Sequence, residues 1–467
     1  MIHAVRVHNL VMLERAFGLS RHGTSVRTEV LGGVTTFVTM AYIIVVNPAI
    51  LHFAGLPVGP SAVATVLAAA FGCVLMGLYA NRPIAVAPYM GENAFIAFGL
   101  AGLGAAWPQA LGAVFVSGAI LAAITVLGLR RWLAGALSPS LKHGFAVGIG
   151  LFLTLIGLYQ AGIVTSFVTG MPAEELVGAH GLLRAPDAPL KIGNLRDPRA
   201  LLAIAGVILT VALMQRRVRG AILVGIAATA LAGSVLGLGE APKALVALPF
   251  SGEYSLGPIA GQLDVAGVFR LGMIPFLLTL FLMALLDTLG SLVGLGAAAG
   301  LLDEKGDLPE IEKPMLVDAA ACMFAGLVGT TTSGAYIESA AGIREGARTG
   351  LAAVTTGALF LVSLFFLPLF EPLQRLEYAY APALIAVGLL MVGSIRKIDV
   401  DDMTELVPAF ATIAMMVFTY NIANGLTAAL VLHPLLKILA GRAREIRSGG
   451  VVLAVLCSLY YLFGLPH

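Results

Sequence analysis

The sequence predicts an all-α polytopic membrane protein, and its composition, glycine content and apolar runs each support that prediction. The chain has 467 residues, of which 59% are hydrophobic and only 12% are charged. Soluble domains carry about 25% charged residues. Mean hydropathy is +0.95. The 55 glycines suit close packing of membrane helices, because small residues let their backbones approach.

The apolar runs define the predicted spans, since about 20 apolar residues cross a bilayer. They lie at about 30–51, 62–80, 107–128, 141–160, 200–215, 221–238, 273–298, 315–331, 350–370 and 379–395. Two shorter stretches near 84–103 and 333–344 are rich in Gly and Ala, which indicates broken helices. Residues 408–440 are too long for one crossing and favour a hairpin of two short helices. Fourteen membrane segments follow. The last run, 450–464, is either a further span or an interfacial tail.

Basic residues predict the orientation of these segments. Arg6, Arg15, Arg21 and Arg27 precede the first run, and no cleavable signal peptide is evident, so the first run is a retained span. With the N-terminus inside, inner loops hold most Lys and Arg, including Arg130, Arg131 and Lys305. Two long outer loops also carry bases, but they contain acids such as Glu174, Glu175, Asp187 and Glu253. We expect a multi-pass protein of the cell (plasma or inner) membrane with both termini in the cytoplasm.

An internal repeat relates the two short segments. Tyr89-Met-Gly-Glu92-Asn-Ala94 resembles Ala335-Tyr-Ile-Glu338-Ser-Ala340, and each copy lies in the third segment of its half. Because seven segments per half is an odd number, the second copy runs upside down. Inverted repeats with discontinuous helices are typical of secondary transporters, and the breaks indicate the substrate site. Half-helix N-termini there offer free N–H groups to a ligand. Asn47-Pro48 is expected to end the first segment.

Two carboxylates stand inside predicted membrane segments. Asp287 ends the run Phe276-Leu-Leu-Thr-Leu-Phe-Leu-Met-Ala-Leu-Leu-Asp287, and Glu338 lies in the short tenth segment. Each costs at least ~2.5–3.5 kcal/mol at mid-membrane, so each is expected to face a cavity, a partner or a substrate. Structural hydrogen bonding to neighbouring helices is the alternative for both. Asp318, near the start of segment nine, is expected to be a helix-end or interfacial residue.

Longer motifs resemble the nucleobase–cation symporter-2 superfamily, and within it the AzgA-like branch of purine permeases. The motifs are Thr35-Thr-Phe-Val-Thr-Met-Ala-Tyr-Ile-Ile-Val-Val-Asn-Pro48, Ala87-Pro-Tyr-Met-Gly-Glu-Asn-Ala-Phe95, Leu286-Asp-Thr-Leu-Gly290, Tyr336-Ile-Glu-Ser-Ala-Ala-Gly342 with Arg348-Thr-Gly-Leu351, and Pro408-Ala-Phe-Ala-Thr-Ile413 with Phe418-Thr-Tyr420. They follow the family's order from about residue 28 to 447. Two positions depart from it, because the branch more often has a glycine at Tyr89 and a neutral residue at Glu92.

The resemblance implies fourteen segments as a 7+7 inverted repeat with core and gate domains. Segments three and ten would begin with short strands at about Ile84–Pro88 and Thr331–Ala335. The expected divisions are a cytoplasmic arm (1–29), the first core half (30–128), the first gate half (129–240), the second core half (265–370), the second gate half (378–447) and a hydrophobic tail (448–467). A homodimer through the gate domain is implied by analogy with relatives.

The resemblance also implies uptake of a purine base, such as hypoxanthine, guanine or adenine, by proton symport. Asp287 matches the acidic position of segment eight, Glu338 the glutamate of segment ten, and Asn93 the asparagine of segment three. The alternative is a carrier of the same fold for another small planar substrate: uracil, xanthine or a carboxylate. Neither a cofactor nor a nucleic-acid partner is expected, and the proton gradient would supply the driving force.

The chemistry of a purine base suggests roles for these residues. A carboxylate can accept two adjacent N–H bonds from the base, and such charge-assisted bonds are strong; Glu338 is assigned this role. Asn93 can donate and accept, and backbone N–H groups near Gly91 and Ile337 can meet a carbonyl. The expected substrate-binding residues are Glu338, Asn93, Asp287, Glu92, Gly91, Ile337 and Thr36. Phe95, Phe98, Tyr89 and Tyr336 are candidates to cover a face of the base.

Proton coupling is assigned to Asp287, because burial favours the protonated form of a carboxyl group. Glu92 has either a structural or rim role or a place in the site, and Thr36 either faces the site or bonds back to its own helix. The eight histidines are scattered and no Gly-x-x-x-x-Gly-Lys-Ser motif occurs, which disfavours a metalloenzyme or an ATP-driven pump. An enzyme is therefore not expected. A passive channel stays open, although paired broken helices favour alternating access.

Overall fold

A computed structural model describes residues 12–99, 105–129, 132, 136–169, 190–239, 242, 244–303 and 308–463. Some residues used above to predict topology lie outside these ranges. They are Arg6, Arg130, Arg131, Glu174, Glu175, Asp187 and Lys305.

The chain folds almost entirely into α-helices. The first half contains α1 (Val26–Met40), α2 (Ile43–Leu51), α3 (Val58–Leu75), α4 (Met90–Gly99), α5 (Trp107–Val126), α6 (Pro139–Gln160), α7 (Pro198–Gln215) and α8 (Ala221–Val235). The second half contains α9 (Val265–Val268), α10 (Ile274–Ala298), α11 (Glu312–Val328), α12 (Ser339–Arg344), α13 (Gly350–Ser363), α14 (Leu367–Arg375), α15 (Glu377–Val392), α16 (Met403–Phe418), α17 (Ile422–Leu439) and α18 (Ser448–Phe463).

Within the described ranges, nine helical stretches are long and apolar enough to cross a membrane. Shorter apolar helices are found at Ala221–Val235, Met403–Phe418 and Ser448–Ser458. The helical multi-pass fold is therefore confirmed, whereas the count of fourteen spans stays a prediction. The hairpin expected within 408–440 is present as α16 and α17, and Tyr420 at their junction has a positive φ of 52°. The tail forms α18, which packs against α17.

Two short strands meet in the interior of the protein. Strand β1 (Val86–Pro88) pairs antiparallel with β4 (Ser333–Ala335), and Ala87 lies opposite Gly334. A second pair, β2 (Val164–Ser166) with β3 (Leu190–Ile192), lies in a loop. The β1–β4 pairing confirms the predicted strands, each shorter than expected. The hydrogen-bond ladder of this strand pair extends by one bond at each end. The Tyr89 N–H donates to Thr332 O, and the Tyr336 N–H donates to Ala85 O, each at 2.9 Å.

The first segment does not end at Asn47-Pro48, so that expectation was wrong. Pro48 lies inside α2, which continues to Leu51. Proline lacks an N–H and leaves the carbonyl four residues earlier without its helical donor. Here that carbonyl belongs to Ile44, and it accepts a 2.7 Å hydrogen bond from the buried amide of Gln374. The side chain of α14 thus replaces the missing backbone bond.

The helices pack in two groups. In one group, α5 packs on α11 and α13 packs on α1 and α3, which joins the first and second halves of the chain. In the other, α6 packs on α15 and α16, and α15 packs on α7 and α8. These groups resemble the expected core and gate, although the domain boundaries stay predictions. The β1–β4 pair lies in the first group, where it packs against α3, α10 and α11.

Candidate functional site

A cavity of about 860 Å³ begins at the β1–β4 pair. Tyr42, Tyr89, Asp287, Tyr336 and Glu338 line one part of it, and Lys142, His143, Asp303, Glu310 and Lys397 line another. Lys142 lies in the first turn of α6, and Lys397 ends the 3-10 helix that follows α15. Because these basic residues stand at helix ends, the cavity runs from the strand pair towards one surface of the helical bundle.

Glu338 lies on the cavity wall at the junction between β4 and α12. Its Oε1 accepts a 2.7 Å hydrogen bond from the Tyr42 hydroxyl. Tyr42 lies between α1 and α2. The donor therefore comes from a second point at which the helices are interrupted. A carboxylate has about four acceptor positions on its two oxygens, and the bond from Tyr42 occupies one of them. Glu338 can therefore accept further N–H bonds from a ligand in the cavity.

Two tyrosines, one directly after each strand of the β1–β4 pair, also line the cavity. The rings of Tyr89 and Tyr336 are nearly parallel, with 6.4 Å between centroids and 14° between planes. The Tyr336 hydroxyl donates to Pro88 O at 3.1 Å, which ties the ring to the opposite strand. Gly334 makes room for Tyr89, because a Cβ at that position would lie 2.3 Å from the Tyr89 hydroxyl oxygen. Residues of the two strands therefore position both tyrosine rings.

Asp287 and Glu92 face each other from α10 and α4. Asp287 lines the cavity. Glu92 is fully buried and is not among the cavity-lining residues. The structure therefore brings these two predicted residues together, with one carboxyl group at the cavity and the other behind it.

Asn93 belongs to a buried amide–hydroxyl network rather than to the cavity wall. Its Nδ2 donates to Asn47 Oδ1 at 2.9 Å. Asn47 Nδ2 in turn donates to Thr65 Oγ1 at 2.7 Å and to Thr330 Oγ1 at 3.0 Å. This network joins the first, second and third segments to the residues that precede β4. Asn93 can thus position the start of α4 without lining the cavity.

Asp318 does not lie at an interface, and the expectation of a helix-end or interfacial residue was wrong. The helix begins at Glu312, so Asp318 lies well inside it and is fully buried. Its Oδ2 accepts the Ala335 backbone N–H at 3.1 Å. Ala335 ends strand β4, and this carboxylate supplies an acceptor for that strand's outward N–H. Asp318 is therefore a fixed support of the β1–β4 pair.

The remaining expected residues divide between the cavity and the packed interior. Gly91 and Ile337 line the cavity, and Ile337 is 66% exposed. Thr36 is buried and packs against Gly342, where a Cβ would lie 2.3 Å from the threonine hydroxyl oxygen. Among the aromatic candidates, Phe95 stacks on Phe276 and Phe98 packs against Phe53 and Tyr420. Tyr89 and Tyr336 are the candidates that line the cavity.

Sequence reasoning assigned no role to Tyr42. A signal was present, because Tyr42 is the one hydroxyl group in the run Met40-Ala-Tyr-Ile-Ile-Val-Val46, which is otherwise apolar. A buried tyrosine hydroxyl usually finds a hydrogen-bond partner. The partner lies 296 residues away, and nothing in the local sequence identifies it.

This chain is similar in sequence to known permeases. A permease-family model matches residues 27–428. The adenine permease AdeP of Escherichia coli is 38% identical over 462 residues, which cover 99% of this chain and 98% of that protein. The guanine/hypoxanthine permease PbuG of Bacillus subtilis is 38% identical over 460 residues, covering 96% of this chain and 99% of that protein.

Solved structures confirm the fold. The transmembrane domain of the cyanobacterial bicarbonate transporter BicA superposes with a TM-score of 0.59 at 16% identity, covering 86% of this chain and 97% of that domain. At this identity the likeness concerns the fold alone, and it confirms the helical multi-pass fold. The relatives are permeases and not enzymes. The chain belongs to the nucleobase–cation symporter-2 family of membrane permeases.

Proposed function

We propose that this protein imports a purine nucleobase by proton symport, with the core domain moving against the gate domain. The observation that carries the proposal is the Glu338 carboxylate, which lies on the cavity wall and is oriented by Tyr42. Purine bases are planar and neutral, and their edges carry adjacent N–H donors. A fixed carboxylate with acceptor positions left over is complementary to such an edge. The purine specificity of AdeP and PbuG supports the choice of substrate.

The tyrosine pair supports the same substrate class. Tyr89 and Tyr336 present aromatic surface beside Glu338, and offset or edge contacts with a planar ring are favourable. The hydrogen bond from Tyr336 to Pro88 O holds one ring in place. Edge recognition by Glu338 and face recognition by these rings together describe a site for a flat heterocycle.

Another planar substrate, such as uracil, xanthine or a carboxylate, is the second candidate. A carboxylate substrate needs a cation at the site. The Lys side chains that line the described cavity, Lys142 and Lys397, both stand near helix ends. Glu338, in contrast, carries a negative charge next to the ligand position, so a neutral N–H donor is the favoured ligand.

One surface contact supports the proposed movement of the core domain against the gate domain. Arg219, between α7 and α8, forms an ion pair with Glu345, which follows α12. The first residue belongs to the predicted gate and the second to the predicted core. Lys142, Lys397 and Arg219 all lie in or next to loops with an expected cytoplasmic location. On that expected orientation the cavity opens towards the cytoplasm. Dimerisation through the gate stays a prediction.

The test is uptake into proteoliposomes that contain the purified protein. Labelled adenine, guanine, hypoxanthine, xanthine and uracil are each measured with an inward proton gradient, and again with a protonophore. We expect accumulation of at least one purine that the protonophore abolishes, and weaker uptake of uracil. If no purine is exchanged or accumulated, the proposal is wrong.

A matched pair of variants tests the role of Glu338. Glu338→Gln should abolish uptake, because it removes the charged acceptor. Glu371→Gln is the control, since Glu371 also accepts a tyrosine hydroxyl, from Tyr254 at 2.9 Å, but does not line the cavity. Wild-type uptake by the control and loss of uptake by Glu338→Gln are the expected results.

A further inference from the structure

Glu92 is a buried acid without a counter-charge. Its side chain is fully buried on α4, and neither carboxylate oxygen accepts a hydrogen bond from an N–H or hydroxyl donor within the part of the chain that the structure describes. An isolated ionised carboxylate in such a place is very costly, and an uncharged form is the usual outcome. A buried polar group in this state calls for a physical explanation.

The group that Glu92 faces is another carboxyl group, that of Asp287. Two buried carboxylates in contact repel each other, and a proton held between them removes that repulsion. A proton shared by the two side chains therefore satisfies both groups. This arrangement differs from that of Glu29, a fully buried acid whose oxygens accept the Arg348 and Thr349 N–H groups at 2.7 and 3.2 Å.

Among the described residues, the other titratable groups around the pair supply no positive charge. Tyr89, Tyr336 and Cys322 interact electrostatically with one or both of the two acids, and Asp318 interacts in turn with Tyr89 and Cys322. From α6, Lys142 and His143 lie at the cavity mouth. From α17, Lys437 is engaged by Asp402, Glu405 and Glu445. The helix α2 that also packs on α4 has no charged residue.

The two carboxyl groups differ in their access to the cavity. Asp287 lines it and Glu92 does not. Water in the cavity can therefore exchange a proton with Asp287, while Glu92 stays behind it and acts through it. The repulsion between the two carboxylates favours one proton on the pair, and that proton belongs to the pair and not to either residue alone.

We propose that Glu92 and Asp287 together hold the transported proton, which Asp287 takes from water on one side and returns to water on the other. Glu92 is the positioning partner, and its carboxyl group shares the proton that Asp287 exchanges with water. The inference rests on the proposed function, since it names the proton site of that transporter.

The test is the pH dependence of proton-driven purine uptake in proteoliposomes. Glu92→Gln leaves Asp287 as a single carboxyl group, which binds a proton less tightly than two neighbouring carboxylates together bind one. We expect the pH of half-maximal uptake to shift towards acid by about one unit or more. Glu92→Asp restores a carboxyl group and should return the midpoint towards the wild-type value. Glu29→Gln makes the same chemical change at a partnered buried acid, and should leave the midpoint unchanged.

The outcomes separate this inference from the proposed function. Absence of purine exchange by the wild type at every pH contradicts the proposed function itself. Purine exchange by the wild type with an unshifted midpoint in Glu92→Gln overturns the shared proton. A sodium gradient that drives uptake without a proton gradient, and fails to do so in Glu92→Gln, also overturns it, because the pair would then bind sodium.

A measurement on the wild type covers the case in which Glu92→Gln fails to fold. Infrared spectroscopy at neutral pH should show the C=O stretch of a protonated carboxyl group. In Asp287→Asn that band should shift, because Glu92 loses the carboxylate with which it shares the proton. A spectrum without the band, or a band that Asp287→Asn leaves in place, contradicts the proposal.

Discussion

The Tyr42 hydroxyl donates a 2.7 Å hydrogen bond to Glu338 Oε1, and this bond joins two points at which the regular helices are interrupted. Tyr42 lies between α1 and α2, and Glu338 lies between β4 and α12. The backbone of residues at such interruptions is not held by a continuous helix. A hydrogen bond between them sets the direction of the carboxylate, which otherwise could rotate within the cavity wall.

The first prediction concerns this hydrogen bond. Tyr42→Phe should weaken purine binding roughly tenfold, because a hydrogen bond to a charged group is worth about 1.5 kcal/mol or more and its loss frees the Glu338 side chain. The Kd for the transported base, measured on purified protein, checks the prediction. Tyr254→Phe is the control, since it removes the same kind of bond from Glu371 outside the cavity. Equal affinities in both variants would count against the role of Tyr42.

The close approach of Gly334 to Tyr89 gives a second prediction. A Cβ at residue 334 would lie 2.3 Å from the Tyr89 hydroxyl and 2.7 Å from its ring. Gly334→Ala should therefore destabilise the protein by about 1–3 kcal/mol, as overpacking commonly does, and should impair uptake. Denaturant unfolding in detergent measures the loss. Gly393→Ala has no atom within 4 Å of the new Cβ, and we expect wild-type stability there.

A third prediction tests the replacement of the bond that Pro48 removes. Gln374→Leu leaves the buried Ile44 carbonyl without a donor, which costs about 1–3 kcal/mol. Pro48→Ala restores an N–H four residues after Ile44, so the double variant should recover part of this loss. A double-mutant cycle on the free energy of unfolding measures the coupling. Additive effects would show that the amide of Gln374 does not substitute for the backbone donor.

Arg219 and Glu345 provide a fourth prediction, for domain motion. The two side chains form an ion pair between the predicted gate and core. Arg219→Cys with Glu345→Cys, joined by a short thiol-specific cross-linker, should hold the domains together and abolish net uptake. The natural cysteines Cys73, Cys322 and Cys457 are buried, so wild-type protein treated in parallel is the control. Full transport by the cross-linked protein would contradict movement at this contact.

A fifth prediction is a pH dependence of stability outside the membrane segments. Hydrogen bonds from the Thr404 hydroxyl and the Arg442 guanidinium hold the pKa of Asp402 well below its usual range. A carboxyl group with a lowered pKa stabilises the fold above its unfolded pKa, near 4 for Asp. That contribution is lost as pH falls through the folded pKa. Asp402→Asn should therefore lower the melting temperature at pH 7 and make less difference under strongly acidic conditions. A constant difference across pH would contradict the ion pair's contribution.

Local patterns predicted much of the fold. Apolar run lengths predicted the helices, and the stretches rich in Gly and Ala predicted the helix interruptions. The paired strands near Ala87 and Gly334 were expected only from the resemblance to the family. The hairpin at Tyr420 followed from the excess length of one run. For the helices and the hairpin, the controlling feature lies within a few residues of the structure that it predicts.

The wrong or missing predictions concern residues whose local structure depends on groups far away in the sequence. Pro48 stays helical because Gln374, far along the chain, supplies a donor. Asp318 is buried because strand β4 presents the Ala335 N–H to it. Tyr42 gained a role only from its contact with Glu338. Local sequence carries no information about such partners, since each contact depends on how the two halves pack together.

Direct binding of labelled purine bases to purified protein in detergent is the measurement that tests the central claim most directly. The account predicts saturable binding of adenine, guanine or hypoxanthine that Glu338→Gln abolishes and Glu371→Gln retains. Failure of every purine to bind, or binding that Glu338→Gln leaves intact, would contradict it.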